Sequence, residues 1–466
     1  MADTAGIGRW IRGFEGIAEI DTRGRALHST EEIFQWLEER KKSQHVQIEM
    51  ISLEECQPWY YDPAEGVIRN RDASFFRIAG LEAETPEGNR VTQPIYLQPE
   101  IGYLGIVCRR IQGVWHFLMQ AKIEPGNINH VQISPTLQAT KSNFTRRHGG
   151  KEPPYLRLFQ EMRREDILVD QIQSEQSSRF LGKRNRNVIL KSEAEIPELP
   201  SHRWMTLGQI RACMGQDNLV NMDTRTVLSC IPYVFMMDST RGYREPFANS
   251  MRAIRHEDVT EIFLRINHYK MFRAPQVRLT PLLSLRDWEF ADHRFRHRKA
   301  YPFDVIFCRL NIEGREVTRW NQPLFAALGK ATFGLICRET AGRYEALVRV
   351  QPEIGCFDAA ELGPSVQEEC GREGERDSVA EAFFDELRNP ECVLADVVLS
   401  EEGGRFYHEQ NRNVILRVAP DRIDYDPDRY IWVTLGSLNA LTQINNCLNI
   451  QLRNLLMLWS MQSMKE

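Results

Sequence analysis

His116, Leu118, Gln120, Lys122 and Glu124 stand two apart in the chain, so a strand running through them carries all five on one face. The residues between them, Trp115, Phe117, Met119, Ala121 and Ile123, are uniformly apolar and predict a core-facing side. A lysine beside a glutamate on the polar face can act as donor and general base. On a wet sheet surface the same pair would be an ion pair of little consequence. The segment that follows favours a cleft. From Met119 it reads MQAKIEPGNINHVQISPTLQATKSNFTRRHGG, and Lys141, Ser142, Asn143, Thr145, Arg146 and Arg147 supply the hydroxyls, amides and cations that suit the pyrophosphate and sugar of a nucleotide sugar. Its GN and GG dipeptides mark turns at which backbone amides approach a ligand. The alternative is a solvated loop.

The elements that position these residues are written twice. RFLGKRNRNVIL, from Arg179 to Leu190, recurs as RFYHEQNRNVIL from Arg405 to Leu416, an offset of 405 − 179 = 226 with eight of twelve positions identical. Gly105-Ile106-Val107-Cys108-Arg109 answers to Gly334-Leu335-Ile336-Cys337-Arg338, and Trp204-Met205-Thr206-Leu207-Gly208 to Trp432-Val433-Thr434-Leu435-Gly436. The period is far longer than the roughly 20–50 residues of a solenoid unit, so a whole domain is duplicated. Function is then expected where the copies differ. Aligned at 229, Gln120, Lys122 and Glu124 face Arg349, Gln351 and Glu353, and Gln138 faces Gln367, whereas Lys141–Arg147 has only CGREGERD opposite it.

The chain of 466 residues, 42% hydrophobic and 26% charged, has enough apolar material for two cores. A formal charge of −5 gives no nucleic-acid surface. Ten scattered cysteines without a CxxC pair predict reduced thiols and, with no signal-peptide core and no apolar run long enough for a membrane, a cytoplasmic protein. Ser29 and Glu32 form a capping box before an apolar helical face of Ile33, Phe34, Trp36 and Leu37. Tyr103–Arg109 with Val114–Lys122, and Thr332–Arg338 with Arg343–Gln351, predict hairpins. Each copy ends in two helical stretches, Leu207–Met214 and Asn221–Ile231, then Leu435–Ile444 and Asn449–Trp459. The expected organisation is an arm over 1–28, a first repeat over 29–240 with the active pocket, a polar linker over 241–257, and a second repeat over 258–466. Each repeat is an α/β (α+β) unit with helices on an antiparallel or mixed sheet.

The strings QPEIGYLGIVCRR, MQAKIEPGNINHVQISPTLQATKSNFTR, RFLGKRNRN, WMTLGQIR and LVNMDTRTVLSCIP resemble the NDP-hexose 2,3-dehydratases of deoxysugar biosynthesis over nearly the whole chain. The resemblance implies a tandem Nudix-like fold, a homodimer and two nucleotide-sugar pockets per chain, the second vestigial. It implies loss of the C2 hydroxyl from TDP-4-keto-6-deoxyglucose without cofactor or metal, and a 3-ketoreductase to consume the labile diketone. The glutamate-rich box of Nudix hydrolases is not found in either half. Under this resemblance Glu124 is the base and Lys122 the stabiliser of the enolate oxygen, with His116 or Tyr103 as alternative proton carriers. Gln120, Gln138 and Lys141–Arg147 fall to the substrate. Trp204 either stacks on thymine or belongs to the core. Asn221 and Arg225, like Arg186, are pocket residues or fold-holding contacts, with Arg186 expected to be the latter. The competing function is a nucleotide-sugar binding protein without catalysis.

Overall fold

A computed structural model describes residues 24–72, 75–84, 88, 90–141, 152–233, 243–315, 317–371, 376–419 and 422–464. Each copy is built on a seven-stranded mixed sheet, and the two sheets have the same strand order. In the first, Ile167–Ser174, Arg184–Lys191, Gly102–Ile111, Val114–Ile123 and His202–Thr206 lie side by side, with Arg184–Lys191 parallel to Gly102–Ile111. The second repeats this through Val393–Ser400, Gln410–Arg417, Thr332–Thr340, Arg343–Pro352 and Tyr430–Thr434. Both predicted hairpins and the α+β class are therefore present. So is the capping box, with Ser29 Oγ accepting from Glu32 N at 3.1 Å and opening the helix Thr30–Ser43.

A second, smaller sheet in each copy is completed by the other. Val46–Ile51, from the first copy, pairs antiparallel with Phe303–Ile312 in a six-stranded sheet of the second. Reciprocally, Gln276–Thr280 of the second copy adds to Arg77–Glu84 in a five-stranded sheet of the first. The copies thus exchange a strand just after their opening helices, Thr30–Ser43 and His256–Phe272. One apolar cluster runs through both, from Ile33 and Phe117 to Leu335 and Trp459.

The exchange is locked by two turns that reach across. Gly126 N donates to Gly403 O at 2.7 Å, and Gly355 N to Ser177 O at 2.9 Å. A Cβ at Gly126 would stand 1.5 Å from Phe406 O, and one at Gly355 2.0 Å from Phe180 O, so only glycine permits either approach.

The stretch expected as a linker contains the helix Glu245–Arg252, which has Pro246 in its first turn and buries Phe247, Ala248 and Met251. Its polarity is that of one helical face, and the apolar spacing packs the other onto the core. Among the described residues, no helix is long and apolar enough to cross a membrane. The ten cysteines are all free thiols.

Candidate functional site

A cavity of about 950 Å³ lies between the large sheet of the first copy and the small sheet of the second. That volume is in the range of small-molecule sites. The first copy contributes Tyr103, Lys122, Glu124, Gln138, Lys183 and Asp223, and the second Arg309, Arg315, Trp320, Glu402 and Arg405. The symmetric cavity, built on the second copy's large sheet, is about 330 Å³ and is lined by Arg179, Arg349, Gln351, Glu353 and Gln367.

In the larger cavity Glu124 is 4% exposed. Its Oε1 lies 3.3 Å from Lys122 Nζ, accepts from Gln138 Nε2 at 3.1 Å, and is 4.0 Å from Arg315 of the second copy. Gln138 is held in turn by Asn221 Nδ2 at 3.2 Å, while Asn221 Oδ1 caps the helix Met222–Ser229 by accepting from Thr224 N. Oε2 of Glu124 is buried and accepts no hydrogen bond from the described residues. Three further carboxyls surround this pair. Burial raises Asp223 well above the usual carboxylate range, with Glu175, Glu402 and Glu124 adding to the effect and Lys122 opposing it. Burial likewise raises Glu402, countered by Arg405, and brings Glu175 to about 7, reinforced by Glu402. Lys183, whose Nζ donates to Glu100 O at 2.6 Å, is lowered by burial against the pull of Glu100, Glu175 and Glu402. Such a cluster can accept a proton and supply another within one enclosed space.

Several residues singled out from sequence lie elsewhere. His116 is fully buried, with Nδ1 at 3.0 Å from Val114 O and Nε2 accepting from Leu27 N at 3.1 Å. Both ring nitrogens are occupied by backbone, so it is not a proton carrier for a ligand. Trp204 is 2% exposed in the core behind the sheet, its Nε1 facing Ile196 O, and has no face to offer a base. Gln120 is half-buried between Ser134 and His202 on neighbouring strands and does not line the cavity. The polar face expected along that strand is thus covered over His116 and Leu118, half-buried at Gln120, and reaches the cavity at Lys122 and Glu124. Arg225 is 1% exposed and donates to Val220 O and, across the copies, to Ser400 O at 2.8 and 2.9 Å. Arg453 mirrors it with Leu448 O and Ser174 O. Both are clamps between the copies. Arg186 is engaged by Asp170 at 2.7 and 2.6 Å and donates to Tyr103 Oη at 3.1 Å, which fixes the ring at the cavity edge. Lys141 is exposed; Ser142, Asn143, Thr145, Arg146 and Arg147 lie outside the described residues.

Sequence reasoning missed Asp223, Glu175, Lys183 and the whole wall from the second copy. A signal for part of it was available: within the duplicated RFLGKRNRN motif, Lys183 stands opposite Glu409.

The sequence profile of NDP-hexose 2,3-dehydratases matches residues 30–231 and again 260–458, one segment per copy. The chain belongs to the NDP-hexose 2,3-dehydratase family. It is similar to dTDP-4-dehydro-6-deoxy-alpha-D-glucopyranose 2,3-dehydratase of Saccharopolyspora spinosa, with 38% identity over 443 residues covering 91% of this chain and 90% of the relative. Enzymes of the same name from Streptomyces violaceoruber and Amycolatopsis orientalis are 37% and 34% identical, covering 90% and 92% of this chain and 95% and 89% of their own. As a family of hydro-lyases, NDP-hexose 2,3-dehydratases require a base and an acid in one enclosed pocket, and the larger cavity has candidates for both.

Proposed function

We propose that the larger cavity removes the C2 hydroxyl of TDP-4-keto-6-deoxy-D-glucose and yields the TDP-3,4-diketo-2,6-dideoxyhexose. The C4 ketone acidifies the C3 proton. Glu124 takes that proton, and Lys122 with Arg315 stabilises the negative charge that develops on the C4 oxygen. The hydroxyl at C2, β to the carbonyl, then departs and the enol tautomerises to the diketone. Arg309, Arg319 and Arg405 meet the diphosphate, and Trp320 offers a ring to the thymine. The observation that carries this reading is Glu124 itself: one oxygen is held by Lys122 and Gln138, and the other is buried without a hydrogen-bond partner among the described residues.

The product is a reactive vicinal diketone, so a 3-ketoreductase acting next on it belongs to this reading, as do a homodimer and a cytoplasmic setting. The test incubates purified protein with TDP-4-keto-6-deoxyglucose, with and without such a reductase, and follows nucleotide products by mass spectrometry. Loss of one water with the reductase, and release of TDP without it, is expected. Intact keto sugar in the presence of measurable binding would overturn the catalytic reading.

A further inference from the structure

The two cavities share a framework. Glu124, Gln138 and Asn221 recur as Glu353, Gln367 and Asn449, joined by hydrogen bonds of 2.8 and 3.1 Å. What does not recur is the set of titratable groups around that framework. Backbone contacts establish the correspondence. Glu175 N donates to Lys183 O as Glu401 N does to Glu409 O, both at 3.0 Å. Phe180 N donates to Gln176 O as Phe406 N does to Glu402 O, again both at 3.0 Å. Asp223 and Gln451 are each the second residue of a helix capped by Asn221 or Asn449. So Lys122, Asp223 and Glu402 of the larger cavity answer to Gln351, Gln451 and Gln176, and Lys183 to Glu409. Three of the four counterparts are amides, which cannot transfer a proton at neutral pH.

Resting on the dehydratase reading above, we propose that Asp223 is the general acid of the larger cavity, delivering a proton to the C2 oxygen as the C2–O bond breaks, and that Glu402, contributed by the second copy, is its positioning residue. The electron pair of the C3–H bond becomes the C2=C3 double bond while Glu124 holds the C3 proton. The C2–O pair leaves as hydroxide and takes the Asp223 proton, releasing one water. Tautomerisation then closes the cycle: C2 gains the proton from Glu124 and the C3 enol returns one to Asp223. Asp223 is 2% exposed, lines the cavity and sits among carboxylates, all of which favour its neutral form. The second copy is then part of the catalytic centre as well as its wall.

Asp223→Asn and Glu402→Gln test this in the full-length protein, using TDP-4-keto-6-deoxyglucose in deuterated buffer. TDP binding by calorimetry should stay within about threefold of wild type, since amides already occupy both corresponding positions in the other copy. D223N should still wash deuterium into C3, because Glu124 is intact, while water loss falls on the order of 100-fold or more. A packing role would not separate these two readouts. E402Q should shift the alkaline limb of kcat to lower pH by on the order of one unit, because the carboxylate that disfavours Asp223 ionisation is gone. D223N that dehydrates near the wild-type rate, or that loses exchange and dehydration in equal proportion, overturns the assignment to Asp223. An unmoved pH limb in E402Q overturns that to Glu402. Wild-type protein that neither exchanges nor dehydrates would instead sink the dehydratase reading itself.

Discussion

The two cavities are made by the same fold, and they settle their buried carboxyls differently. In the larger one Glu124 is paired with Lys122, and Lys183 stands close to Glu175 and Glu402. In the smaller one those lysine positions hold Gln351 and Glu409, leaving Arg179 to serve Glu369 at 2.9 Å and Glu409 at 3.7 Å. Burial then carries Glu353 and Glu409 to about 7 and Glu361 to about 8. Raised carboxyls stand around both cavities, and what separates them is the pair of lysines, Lys122 and Lys183, that only the larger one has at these positions. Duplication supplied the frame twice, and a few side chains distinguish the two cavities.

The sharpest way to break this comparison is to exchange its residues. Lys122→Gln, the second copy's choice, should lower kcat on the order of 1,000-fold through loss of enolate stabilisation. Gln351→Lys should leave kcat within about twofold; equal losses from both would erase the distinction between the cavities, and steady-state assays with the coupling reductase decide it. Removing either clamp, by Arg225→Ala or Arg453→Ala, should destabilise the fold by roughly 3 kcal/mol, because buried carbonyls lose their donors. Denaturant titration measures this, and KM should be unchanged in whatever fraction remains folded.

Smaller still, Gly126→Ala and Gly355→Ala should each cost about 1–3 kcal/mol by forcing the cross-copy turns apart. Only Gly126→Ala should also reduce turnover per folded molecule, because the loop it displaces carries Glu402; thermal melts beside active-site titration separate the effects. The gentlest test is Glu361→Gln, which installs the amide that Gln132 provides in the first copy. With a folded value of about 8 against 4.5 for the free side chain, the native state keeps this proton longer than the unfolded chain. Stability contributed by Glu361 is therefore present below about pH 4.5 and declines as pH rises towards 8, by up to about 1.4 kcal/mol per unit. The variant should flatten that slope in urea titrations across the range.

Much of the frame was legible because it is local. Alternation in Val114–Ile123 and the capping box at Ser29 announce strand and helix from neighbouring residues alone. Lys122, Glu124, Gln138 and Tyr103 were also within reach, the first two through the strand pattern and all four through the family resemblance, and all four line the cavity. His116 misled because its place on the polar side of the alternation says nothing of what covers that side, here the chain around Leu27. Trp204 and Arg225 stayed open between pocket and core in the sequence because a buried aromatic or arginine and a ligand-binding one are the same residue type. Arg315 and Glu402 were invisible for another reason: they reach the site only because the copies exchange strands, and no spacing within a single repeat encodes that.

The exchanged strands also set an order of assembly during synthesis. Val46 pairs with Ile312, so this strand emerges 312 − 46 = 266 residues before its partner exists. At roughly 5–20 residues per second that is a wait of about 13–50 s on the ribosome. Through that interval the backbone groups of Val46–Ile51 wait for the strand they pair with in the finished fold. The first copy, although complete in sequence, lacks until then both the partner of this strand and the residues, Arg315 and Glu402 among them, that complete the larger cavity.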